Sequence, residues 1–595
     1  MRIWTGRAGS GKTTAILREI AALSERGEGR QILLVPELNS HLMERRLAAA
    51  THNHGARTAE VLTFSRLADR VFSEVGGLAQ QMLTPAGQLL TLQEAARRVQ
   101  GGLSAWKGLA DKPELLQEAL RLIDECKTCA VAPETLFAAA EESEDAVLAE
   151  KLSDLAQILT AYERLCDESL PDPRDRLTHL RDRLAESHTL DGAAVYLDGF
   201  LGFTVQESAV VDAMLAAGVP LSAAVTCDTN YPEIFLTGCK TVQKLTRMAK
   251  HHNQTVERIE LGASKVARPA GLAALERESL LPVRTPQESA AGVRLYEAAS
   301  PFDECEHAAA YIRRKVRDEG ARCRDFVVAA RDIEPYSAFL AMAMARYDIP
   351  VFLAEKPDLL SRPPMALVTN ALEAVRNHFR YEDLFSCLKT GLAGLDWDEI
   401  DKLENYVLTW NIRGGAWERE WTEHPDGYGL SIDENAKAQL AELNTLRKRA
   451  IAPFSALREA LAGEQPAGDC VRALYAFLLA VDAPQRMTDR AAGHEQAGRL
   501  QLADEYRQLW EILVSAMEQF AWVCGDMPLT LDRFAQLFRL VLGEYDVGTI
   551  PVSLDRVTCG NIERACTENA KYVILLGVND GLIPKTPSST SLLSD

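Results

Sequence analysis

Two α/β domains built on parallel sheets, each interrupted by a large helical insertion, are the architecture this sequence predicts. Three observations predict it. The first 85 residues alternate strand and helix patterns; a helix-period stretch then intervenes before strands resume; and the same order recurs further along the chain. Such alternation places helices on both faces of a parallel sheet.

The elements follow in order. Arg2-Ile3-Trp4-Thr5 reads as a short strand, and the run from Thr14 to Leu23 as a helix. Gln31 to Glu37 is an apolar run of strand length, Leu42 to Ala50 is helical, and Glu60 to Arg66 is a third strand candidate. From about Thr84 to Ser187 apolar residues recur at i, i+3 and i+4, as between Leu152 and Leu165, with few β-branched residues. Ala193 to Phe200 and Pro220 to Thr226 bring strands back. Pro269, Pro282 and Pro286, among glycines and serines, mark a linker. Beyond it, Val293 to Ala298 reads as a strand, Glu304 to Arg314 as a helix and Phe326 to Arg331 as a strand. Helical patterning then dominates to about residue 545, and Lys571 to Gly577 gives a late strand. The resulting division is a first α/β domain at 1–85 plus 190–262 with an insertion at 86–189. A linker at 263–290 leads to a second α/β domain at 291–375 plus 546–595, with an insertion at 376–545.

A chain of 595 residues is too long for one core. Its hydrophobic content of 47% and charged content of 25% are ordinary for a globular protein. No apolar run approaches the roughly 20 residues a membrane span needs, and no leader is recognisable, so a cytoplasmic location without membrane contact is expected. The 12 cysteines are scattered. Cys126 and Cys129 form a C-x-x-C in helical sequence with no second pair at zinc spacing, which favours a helix end over a metal or redox site. A net charge of −20 argues against nucleic acid coating most of the surface, though not against a local basic groove. The dense basic stretch Arg313, Arg314, Lys315, Arg317, Arg322 and Arg324 reads equally as a solvated helix face.

The strongest motif lies at the amino terminus. Gly6-Arg7-Ala8-Gly9-Ser10-Gly11-Lys12-Thr13 fits G-x-x-x-x-G-K-[ST], between a strand and a helix. That context makes an anion cradle rather than a bare glycine turn. Backbone N–H groups point inward, Lys12 can reach the β/γ-phosphates, and the Thr13 hydroxyl can ligate Mg²⁺. All eight residues are candidate nucleotide contacts, with ATP and Mg²⁺ the expected ligands. A nucleotide-hydrolysing site also needs an acidic strand end beside the metal. Asp198, closing Val195-Tyr196-Leu197, is the candidate, the alternative being a turn aspartate before Gly199.

With these segments in place the chain resembles a superfamily 1 helicase of the UvrD/Rep type, and more narrowly the AddB family, one of the two subunit types of the bacterial AddAB helicase/deoxyribonucleases. The resemblance rests on the phosphate loop followed in order by Ile32–Glu37, Val61–Ala68, Val195–Thr204, Phe326–Arg331 and Val573–Pro584. It implies RecA-like domains of the P-loop NTPase type. It also implies a heterodimer with an AddA-type helicase/nuclease subunit that engages DNA ends and resects double-strand breaks, responding to a recombination hotspot. Within it, Asp198 is the Mg²⁺-side acid, Arg331 stands near the γ-phosphate, and Thr63, Phe64 and Ser65 lie where the superfamily touches single-stranded DNA.

Departures from active motors set a further expectation. No glutamine motif fits before Trp4, and Gly199 stands where motors carry a water-activating glutamate. The stretch Val557–Asn569 lacks the expected histidine and the lysine-glycine-leucine-glutamate turn, and no glutamine phosphate sensor stands near Asp228. General-base catalysis contributes roughly 10²–10⁴-fold, so weak ATPase activity is expected and no residue receives a catalytic role. A reader of DNA is expected rather than a driver, the alternative being a translocase active in its own right; a small-molecule kinase fits the layout poorly. The family's nuclease domain and 4Fe–4S cluster have no counterpart among these residues, and the chain reads as a fragment of a longer subunit. Trp410, Trp417 and Trp421 could stack on bases, with burial in the core the better reading.

Overall fold

The computed structural model describes residues 1–51, 58–79, 81–262, 266–278, 289–353, 359–545, 555–563 and 570–585. Six strands, β1 (Arg2–Gly6), β2 (Arg30–Leu34), β3 (Ala59–Leu62), β4 (Ala193–Leu197), β5 (Leu221–Thr226) and β6 (Glu257–Glu260), form one sheet in the order β3-β2-β4-β5-β1-β6. Every pairing in it is parallel. Further on lie β7 (Phe326–Ala330), β8 (Val351–Leu353), the two-residue strands β9 (Gln465–Pro466) and β10 (Pro528–Leu529), then β11 (Val557–Asn561) and β12 (Tyr572–Leu576). β9 and β10 pair antiparallel, whereas β12-β7-β11-β8 is a second parallel sheet. The α/β architecture with two parallel sheets and extensive helical insertions is therefore as the sequence predicts.

The apolar strands are explained by burial on both faces. Ile3, Ile32, Leu34, Val195 and Val225 enter one core cluster, while their neighbours Trp4, Leu33, Tyr196 and Ala224 enter another. Side chains alternate across a strand, so a sheet covered on both sides needs a continuous apolar run. One face is covered by α1 (Lys12–Arg26) and α2 (Ser40–Ala50), through Ile16, Ile20 and Leu47. The other is covered in part by α3 (Phe64–Val75), whose Phe64, Leu67, Ala68, Val71 and Phe72 repeat at helical spacing and are all buried.

The structure moves several boundaries. The third strand ends at Leu62, because the Thr63 hydroxyl accepts the N–H of Arg66 at 3.2 Å and caps α3. Phe64, Ser65 and Arg66 are thus helical. Val293–Ala298 is not a strand: Leu295 is 94% exposed and has no sheet to cover it. Part of the expected linker is helical, from Ala270 to Glu278. β6, β8 and β11 have weak sequence signals, since β6 alternates charged residues on a sheet edge and β8 has three residues.

By internal packing the chain divides into two compact units, 1–82 with 122–132 and 171–298, and 83–121 with 133–170 and 299–595. The first holds the six-stranded sheet. The second holds the four-stranded sheet and a large helical core in which Ala86 and Leu90 pack with residues between 359 and 542. Among the described residues no helix is long and apolar enough to cross a membrane.

Candidate nucleotide site

Because the strands of the first sheet are parallel, their carboxyl ends share one edge, the usual place for ligands in such sheets. Gly6, Leu62, Leu197 and Thr226 end their strands there. The residues that follow, the phosphate loop, Thr63–Ser65, Asp198 and Asp228, therefore line that edge.

The loop itself is glycine-dependent. Gly9 and Gly11 have φ of 77° and 95°, values that side chains oppose. A Cβ on Gly6 would stand 2.9 Å from the Leu261 carbonyl and 2.6 Å from Ser10 Oγ. α1 starts directly after Gly11 with no side-chain cap, which leaves its first N–H groups for an anion. The Ser10 hydroxyl is buried with no hydrogen-bond partner among the described residues. Lys12 is 9% exposed and folds back over the loop, donating to the Gly6 and Arg7 carbonyls at 2.8 and 2.9 Å. Burial pushes its ammonium below the usual lysine range, partly offset by the negative charge of Asp198. Asp198 is buried beyond β4, where its N–H donates to the Leu34 carbonyl at 3.1 Å. These residues fit Mg·ATP: a cradle that a Cβ would fill, an ammonium poised over it, and a carboxylate whose charge reaches that ammonium.

Arg7 has partners that the sequence does not advertise. Its Nε donates to Asp228 Oδ2 at 2.6 Å, and its guanidinium lies over the rings of Tyr231 at 4.8 Å and Phe235 at 5.7 Å. Burial alone would raise the Asp228 carboxyl, but bonds from Arg7 and the Asn230 N–H outweigh it and hold it low. The pairing spans 221 residues, and only the β1–β5 register, which sets Gly6 opposite Thr226, reveals it.

The remaining sequence candidates are placed as follows. Thr63 and Phe64 are buried, the first as a helix cap and the second with its ring 5.6 Å from Phe200, whereas Ser65 is exposed. Gly199 has a φ of 83°, and a Cβ there would stand 3.2 Å from Asn39 Nδ2, so the backbone favours glycine over the motor glutamate. Arg331 follows β7 in the second unit and pairs with Glu563. Arg564–Asn569, part of the Val557–Asn569 stretch, lie outside the described residues. Trp417 and Trp421 are core residues at 0% and 4% exposure, and the Trp410 ring donates to the His424 carbonyl at 3.0 Å. Cys126 is buried and Cys129 exposed at the end of their helix. Among the described residues no group of three or more His, Cys, Asp or Glu side chains is gathered to hold a metal ion.

Residues 3–276 match the family described as ADDB, N-terminal. The chain is 33% identical over 611 residues to the B-type subunit of the ATP-dependent helicase/deoxyribonuclease of Acetivibrio thermocellus, covering all of this chain and 53% of the relative. The corresponding subunit of Desulforamulus reducens is 32% identical over 616 residues, and that of Thermoanaerobacter sp. 30% over 608, with the same coverage. The chain spans about half the length of the curated relatives it matches. Residues 3–276 thus resemble the ADDB N-terminal family, and the chain as a whole is similar to the B-type subunits of the ATP-dependent helicase/deoxyribonucleases.

Proposed function

We propose that this chain is the ATP-binding, helicase-like part of a helicase/deoxyribonuclease subunit that acts on DNA ends in double-strand break repair. It works with a second, AddA-type subunit and serves more as a reader of single-stranded DNA, including the hotspot, than as a motor. The observation that carries the nucleotide half is the buried Lys12 folded over a glycine cradle beside Asp198. In this reading Gly6–Thr13 hold the phosphates, and Thr13 and Asp198 hold Mg²⁺. Bound Mg²⁺ supplies charge neutralisation at the phosphate oxygens. Lys12 leaves the two loop carbonyls to meet the phosphates.

The DNA half rests on the helicase/deoxyribonuclease activity for which the relatives are named and on the exposed Ser65 at the ligand edge of the sheet. The reader role rests on Gly199, whose positive φ disfavours the glutamate that would activate water. Steady-state ATP turnover of this chain with and without single-stranded DNA, against Lys12→Ala, tests the assignment. The reading predicts binding with turnover well below one per second. DNA-stimulated turnover of several per second, lost in Lys12→Ala, would instead make the chain a motor in its own right.

A further inference from the structure

Eleven cysteines in the described residues carry free thiols, and two of them nearly touch. Cys227 directly follows β5, and Cys239 lies in the first turn of the helix Leu236–His251; their Sγ atoms are 3.0 Å apart. A disulfide bond is about 2.05 Å long, so about one ångström of approach separates this pair from a bond. Gly238 makes that proximity possible. A Cβ there would fall 2.0 Å from the Thr226 carbonyl, so only glycine lets the helix cross the end of β5 this closely.

The segment between the two thiols is the one that grips the phosphate loop. Asp228, Tyr231 and Phe235 all hold Arg7, and the Cys227 N–H donates to the Gly6 carbonyl at 3.3 Å. We propose that Cys227 and Cys239 are a reversible oxidation site, closed to a disulfide by a peroxide, and that closing it weakens uptake of Mg·ATP by stiffening the grip on Arg7. The bond ties both ends of residues 228–238, which fixes the loop in the shape seen here, with Lys12 turned back on its own carbonyls. Its effect on the loop rests on the nucleotide-binding reading, whereas the bond itself does not.

The chemistry orders itself by access. Cys227 is 3% exposed, and its thiol is pushed up to about 12 by burial, then by its hydrogen bond to Cys239. Cys239 is half-buried and meets the oxidant first. Its thiolate attacks one peroxide oxygen, the O–O bond breaks, and Cys239 becomes a sulfenic acid as hydroxide leaves. The Cys227 sulfur then displaces the sulfenic hydroxyl, and its proton leaves with that group as water. In sum, two thiols and one hydrogen peroxide give one disulfide and two waters, the two electrons passing from sulfur to oxygen. A dithiol reductant reverses it.

The test treats the 595-residue chain with hydrogen peroxide, alkylates remaining thiols and maps peptides by mass. Mg·ATP affinity is measured before and after, in parallel with Cys239→Ser and, as a second variant, Cys227→Ser. The expected result is a Cys227–Cys239 cross-link removed by dithiothreitol, with affinity at least threefold weaker in the oxidised protein and unchanged by peroxide in both variants. Alkylation of both thiols after treatment of the folded protein would overturn the proposal, as would a complete cross-link with unaltered affinity. Should the reduced protein take up no Mg·ATP, the nucleotide reading fails and the regulatory claim with it, while the peptide map still decides the oxidation site.

Discussion

Replacing Gly6 with alanine perturbs the phosphate loop without touching a charged group. The new methyl would stand 2.6 Å from Ser10 Oγ and 2.9 Å from the Leu261 carbonyl, where ordinary contact begins at 3.4 Å. The serine hydroxyl can rotate away. The carbonyl cannot follow, because the Leu261 N–H is held by the Thr5 carbonyl at 2.9 Å beside the β1–β6 pairing. The loop itself must therefore shift by about half an ångström. Overpacking of this kind costs about 1–3 kcal/mol. A misplacement of about 1 Å in a binding constellation can cost roughly 10²-fold, so a shift half as large should weaken Mg·ATP binding about tenfold. Urea unfolding and titration with a fluorescent ATP analogue read the two effects. Gly27→Ala is the control: with a φ of 64° and nothing within 4 Å, it should lose about 1 kcal/mol of stability and no affinity. Equal affinity in Gly6→Ala and the parent chain would refute the reasoning that this loop approaches phosphate through a gap only glycine leaves open.

Three other outcomes follow. Glu74 accepts bonds from the Ser187 hydroxyl, the His188 N–H and the Thr189 hydroxyl, which lower its carboxyl to about 2. A depressed native value stabilises above the unfolded value of about 4.3, and that contribution is lost as pH falls toward 2; Glu74→Gln should flatten this part of the stability curve. Trp417→Ala empties a fully buried site and should cost about 3–5 kcal/mol in urea unfolding. Arg331→Ala breaks only a partly exposed pair with Glu563 and should change stability by less than about 1 kcal/mol.

The sequence discloses what local chemistry dictates. The phosphate loop is written in consecutive residues, and β2, β4, β5 and β7 announce themselves as apolar runs because both faces of their sheets are covered. Asp198 is legible as an acidic strand end. What stays hidden is set by distant pairing. β6 shows charged residues because it lies at an edge, and the Arg7 grip depends on a register between strands more than 200 residues apart. Residue pattern alone carries the third strand past Leu62 to Arg66, since Thr63 serves equally in a strand and as the cap that ends one. Val293–Ala298 has strand composition but no neighbour, and composition alone does not supply one.

Calorimetric titration of the intact chain with Mg·ATP, beside Lys12→Ala, bears most directly on the central claim. Loss of a charge-assisted contact of about 2 kcal/mol corresponds to roughly 30-fold in affinity. The account predicts saturable binding at one site in the parent chain and at least that loss in a variant that still unfolds cooperatively. Equal affinity in both proteins, or no uptake by a folded parent chain, would contradict it.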